Sequence, residues 1–148
     1  MDAIALNERE LASLRILAGL MIPASARHDV PGADDEAIFA DIVRSLGRDE
    51  PAVRSALAAL DTMWGGDFAG LNPEERIAAA DRWRQAGGAD VRVVERAILQ
   101  CYYRDDRVMR SLGMETRPPF PKGHEVEDGD WSLLDEVRAR PRLWRDPS

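Results

Sequence analysis

Few side chains in this 148-residue chain could take part in covalent or metal chemistry. His28 and His124 are its two histidines and Cys101 its single cysteine. A zinc or iron centre needs several such donors at close spacing, and neither histidine has a second His or a Cys nearby. One cysteine also excludes an internal disulfide and any Cys-based cluster. The acid pairs Asp34-Asp35 and Asp105-Asp106 have the residue type for general acid–base work, but each falls at an expected helix boundary, where capping accounts for it. No Gly-rich phosphate loop, G-x-S-x-G elbow or H-E-x-x-H pair occurs. The expectation is a chain without catalytic residues, metal ligands or a cofactor site of its own, so that any active site lies in another chain.

Three other features point to contact with a partner. Tyr102 and Tyr103 end a core-spaced helical stripe, and neighbours on a helix lie about 100° apart, so one ring packs inward and the other points elsewhere. Pro118, Pro119, Phe120, Pro121, Lys122 and Gly123 set one aromatic ring in a stiff segment that loses little entropy on docking. Of the 20 basic residues only Lys122 is lysine and 19 are arginine, a bias that suits interfaces and that coding bias explains equally well. Tyr103 and residues 118–123 are therefore the candidate partner interface.

The elements that must position these residues are helical. Asn7 and Glu10 form a capping box ahead of a stripe at Leu11, Leu14, Leu17 and Met21. Pro23 ends that helix, and Pro23 to Ala33 reads as a loop. A second helix from about Asp34 carries Ile38, Phe39, Ile42, Val43 and Leu46, and stops at Gly47. A third starts near Asp49 with Pro51 in its first turn, and places Val53, Leu57, Leu60 and Trp64 on one face. Asn72-Pro73-Glu74-Glu75 opens a fourth, with Ile77 and Trp83 expected inward. Asp90 is expected to cap a fifth, with Val91, Val94, Ile98 and Cys101 or Tyr102 at core spacing, continuing brokenly through Val108, Met109 and Leu112 to Gly113.

This predicts an all-α orthogonal bundle of about six helices in a single domain over 1–148. The helical core spans 1–113, an extended Pro/Gly segment spans 114–130, and a C-terminal helix from Trp131 to about Arg140 leads into a tail ending at 148. The formal net charge of −7 and pI near 4.9 argue against nucleic-acid binding. No window is long and apolar enough for a membrane-spanning helix. The first residues lack a secretory leader and no adjacent arginines occur, so a cytoplasmic location is expected, or a periplasmic one if a leader is removed.

The order Leu17 to Pro23 (LAGLMIP), Pro31-Gly32-Ala33, Tyr102-Tyr103, Val108, Leu112-Gly113 and Pro118 to Gly123 (PPFPKG) resembles the gluconate 2-dehydrogenase subunit 3 family. These are small subunits of flavin-dependent sugar dehydrogenases. The likeness runs from about Leu11 to Gly123 and implies an accessory subunit, itself without flavin, bound to a large FAD-containing oxidoreductase of the glucose–methanol–choline type. That partner would oxidise a sugar, sugar acid, glycoside or polyol, and the small subunit would stabilise or mature it. Many members also carry their partner across a membrane on a twin-arginine leader, a feature this sequence lacks. The rival readings from the residues themselves are a stand-alone helical adaptor or regulator and a small enzyme using acidic side chains.

Overall fold

The computed structural model describes residues 6–117, 123 and 128–141. The chain divides into two compact units, Met1–Thr116 and Arg117–Ser148. The first unit holds helices α1 (Glu8–Met21), α2 (Glu36–Ser45), α3 (Glu50–Met63), α4 (Pro73–Ala86), α5 (Ala89–Tyr103) and α6 (Asp106–Ser111). The protein is an all-α bundle. Among the described residues, extended pairing is confined to one antiparallel bridge between Ser25 and Val30.

Helix starts follow from local chemistry. Asn7 and Glu10 exchange side-chain and backbone hydrogen bonds at 2.9 and 2.8 Å, and Asn72 with Glu75 repeats the arrangement at 2.9 and 3.1 Å. Each satisfies two amides that the first turn leaves unbonded. Asp35 caps α2 through Ala37 N and Ile38 N, and Asp105 caps α6 through Arg107 N. Asp90 departs from expectation. The residue before α5 is Gly88, and Asp90 sits inside the first turn, where its charge still faces the positive end of the helix dipole.

α3 packs on α5, α4 and α1, and α2 packs on α5. The core joins Leu14 and Leu17 of α1, Ile38 and Ile42 of α2, Val53, Leu57 and Leu60 of α3, Val94 and Ile98 of α5, and Val108 of α6. Trp83 of α4 is buried, and its indole N–H donates to the Ala56 carbonyl on α3 at 3.0 Å. Ile77 was expected beside it and instead lies 52% exposed. The buried face of α4 is Ala79, Ala80 and Trp83, and Ile77 is about 200° around the helix from Ala79. Trp64 is half-buried at the end of α3 under the Arg82 guanidinium. Phe68, in the turn between α3 and α4, is wholly buried, with its amide held by the Asp61 carboxylate at 3.0 Å.

In the second unit, a 3-10 turn over Trp131–Leu134 runs into α7 (Asp135–Arg138). Asp130 caps it, accepting from Ser132 N at 3.0 Å and Ser132 Oγ at 2.6 Å. The Arg117 guanidinium donates to the Gly123 carbonyl at 2.8 Å. The extended character expected for 118–122 and 124–127, and the tail from 142 on, lie outside the described residues.

Candidate partner surface

The end of α5 separates the two tyrosines. Tyr102 is 4% exposed and Tyr103 is 53% exposed, with the ring centroids 5.2 Å apart and the planes nearly perpendicular. The Tyr102 hydroxyl donates to the Pro31 carbonyl at 3.2 Å, and burial pushes its phenol above the ordinary value. Such an edge-to-face pair braces an exposed ring on a buried one.

The loop before α2 is closed by its own hydrogen bonds. Ala33 N donates to Ile22 O at 2.9 Å, and Ser25 and Val30 exchange bonds at 3.0 and 3.2 Å. Asp29 holds a left-handed φ of 51°, which Asp tolerates better than most residues. Gly32 is required by closeness: a Cβ there would stand 2.4 Å from Asp34 Oδ1 and 2.9 Å from Ala24 N. Gly19 of α1 faces the same side chain, since a Cβ on it would stand 2.9 Å from Asp34 Cγ. The glycines of the two motifs, LAGLMIP and PGA, thus close around one aspartate.

Arginines tie this region to its neighbours. Arg107 of α6 bonds Asp35 at 2.7 Å and Asp105 at 3.0 Å, bridging the caps of α2 and α6. Its hydrogen bonds hold both carboxyls below the ordinary carboxylate range, against burial that pushes them up. Arg15 donates to the Asp34 carbonyl at 3.0 Å. At Asp41 burial pushes the carboxyl up, and hydrogen bonds from Arg104 and Arg44 outweigh it.

Beside Tyr103 the loop and α6 leave an open cleft of about 330 Å³. Its apolar wall includes Ile22, Val30, Tyr102 and Val108, with Tyr103 and Leu112 at its edge. Leu112 is 56% exposed, unlike the inward residue the periodicity predicts, because α6 ends at Ser111 and the chain turns away through Gly113 at φ 73°. A second cleft of about 810 Å³ shares Ser25, His28, Val30 and Ser111 and adds Arg107 and Arg110. An apolar hollow with an aromatic edge and a charged rim can receive a hydrophobic side chain of another protein.

The residues with chemical potential are placed otherwise. His28 is exposed on the loop, and His124 lies outside the described residues. Cys101 is buried, and burial pushes its thiol up, opposed by Ser45 and the Arg104 charge, which makes it a poor nucleophile. Asp35 and Asp105 are consumed as helix caps and ion pairs. Among the described residues, no cluster of His, Cys, Asp and Glu could hold a metal ion, and no helix is long and apolar enough to cross a membrane.

Of the expected interface, Tyr103 lies on the surface and Gly123 is exposed in the second unit. Pro118, Pro119, Phe120, Pro121 and Lys122 lie outside the described residues. The cleft and the glycine cradle were not foreseen, although Gly19 and Gly32 inside otherwise regular motifs were the available signal. Comparison of the chain with protein-family models, with curated proteins and with solved structures finds no match.

Proposed function

We propose that this chain is the accessory small subunit of a heteromeric FAD-dependent sugar or glycoside dehydrogenase of the glucose–methanol–choline type, and that it stabilises or matures the catalytic large chain. The flavin and the hydride abstraction belong to that partner. The observation that carries the reading is the tyrosine pair: Tyr102 is locked to Pro31 while Tyr103 stands out beside an apolar cleft. This joins the loop and tyrosine motifs of the family resemblance into one surface, which supports the reading. A preformed surface limits the entropy lost on association, and binding only the native form of the large chain shifts that chain toward its folded, flavin-competent state.

The test is to identify an FAD-binding oxidoreductase encoded beside this chain, express it with and without this chain, and measure soluble yield and flavin per polypeptide. The expected result is a flavin-depleted or poorly soluble large chain alone and a stable, flavin-loaded heteromer on co-expression. Equal yield and flavin content in both preparations would reject the reading.

A further inference from the structure

Asp128 is the single aspartate of the chain that is followed by glycine, and neither asparagine precedes one. Such a pair can rearrange without an enzyme when the glycine amide reaches the side-chain carboxyl, since glycine sets no Cβ in the way of that approach. Asp128 and Gly129 are exposed and lie ahead of the 3-10 turn, outside any helix. Neither the Gly129 amide nor the Asp128 carboxyl has a hydrogen-bond partner among the described residues.

Other aspartates are restrained by their settings. Asp41 and Asp81 lie inside α2 and α4, where the next amide belongs to the helix ladder. The amide after Asp29 is donated to the Ser25 carbonyl at 3.2 Å, and the amide after Asp67 to the Asp61 carboxylate at 3.0 Å. Nor does the fold require a glycine at 129. Its φ is outside the left-handed region, and a Cβ there would meet no atom within 4 Å.

We propose that Asp128-Gly129 is a modification site at which the chain converts to isoaspartate by its own chemistry and becomes a substrate for methyl transfer. The Gly129 nitrogen bonds to the protonated Asp128 carboxyl at Cγ, and the hydroxyl leaves with the amide hydrogen as water. Water then adds to the main-chain carbonyl of the succinimide and breaks its bond to the Gly129 nitrogen. The backbone now runs through Cγ, one methylene longer, and carries a free α-carboxylate. A methyltransferase can esterify that carboxylate from a sulfonium methyl donor. The Gly129 nitrogen then expels methanol and re-forms the succinimide, the route back to aspartate. The added methylene enters two residues before Asp130, which caps the following turn through Ser132 N at 3.0 Å. The proposal does not depend on the accessory-subunit reading, and its test uses this chain alone.

The full chain is aged for several weeks at physiological temperature and mildly acidic pH. Isoaspartate is counted with isoaspartyl methyltransferase and labelled S-adenosylmethionine, and located by peptide mass spectrometry. Methyl acceptance should rise toward one per chain and map to position 128. The rate should match that of a synthetic peptide of residues 125–133, because no local opening has to precede the reaction. Gly129→Val crowds the attacking nitrogen and Asp128→Glu demands a larger ring, so each should slow the reaction at least about tenfold. Circular dichroism of both variants should match wild type. No isoaspartate at 128, a rate in the full chain at least about tenfold below that of the peptide, or Gly129→Val reacting as fast as wild type would overturn the proposal.

Discussion

The Tyr102 hydroxyl donates to the Pro31 carbonyl at 3.2 Å, linking residues 71 positions apart in the chain. It fixes the loop after α1 against the end of α5. The neighbouring Tyr103 thereby faces a cleft whose far wall is that loop, through Ile22 and Val30. One ring is spent on the fold, and the other stands at the surface beside the cleft.

Tyr102→Phe should therefore cost about 0.5–1.5 kcal/mol of stability, the net value of one hydrogen bond. Tyr103→Ala should leave free-chain stability within about 0.5 kcal/mol, as at most surface positions. Urea unfolding of both variants checks this. A larger loss for Tyr103→Ala than for Tyr102→Phe would reverse the assignment of roles.

Gly32→Ala should destabilise the chain by about 1–3 kcal/mol, the usual range for overpacking, because the added methyl meets the Ala24 backbone as well as Asp34. Gly19→Ala meets only the Asp34 side chain. Adding Asp34→Ala should relieve most of the Gly19→Ala defect and little of the Gly32→Ala defect, a difference that double-mutant cycles read directly.

Ser13 is 2% exposed, and its hydroxyl has no hydrogen-bond partner among the described residues. Removing an unsatisfied buried hydroxyl is favourable, so Ser13→Ala should stabilise the chain by about 1 kcal/mol. The denaturation midpoint should rise with an unchanged slope. A fall in the midpoint would mean the hydroxyl is satisfied in solution.

Asp35 and Asp105 are depressed by hydrogen bonds from Arg107, opposed by burial. A carboxyl depressed in the folded state adds stability above its unfolded pKa, about 3.9, and that stability is lost as pH falls through the lower folded value. Arg107 is 44% exposed at its side chain, so each contact is worth no more than about 1 kcal/mol. Arg107→Met should lower stability at pH 7, and the gap to wild type should close below about pH 4. A gap equal at both pH values would assign Arg107 to packing alone.

Much of the bundle was legible because its signals are local. Asn7 with Glu10 and Asn72 with Glu75 cap the helices the sequence assigns to them, and the stripe from Val91 to Tyr102 is buried as its spacing predicts. Ile77 and Leu112 were misplaced because hydrophobicity does not say which side of a helix meets a neighbour. In α4 two alanines let α3 approach closely, and Trp83 supplies the bulk that Ile77 was expected to share. The cleft was not legible at all. It depends on the Tyr102–Pro31 and Arg107–Asp35 contacts, whose partners are distant in sequence.

The deciding measurement titrates this chain into the flavin-containing large subunit proposed for it and compares wild type with Tyr103→Ala. Wild type should form a defined stoichiometric complex. Tyr103→Ala, melting like wild type, should lose at least about 2 kcal/mol of binding, roughly 30-fold in affinity. Absence of a complex with wild type, or equal affinity for the variant, would contradict the proposed function.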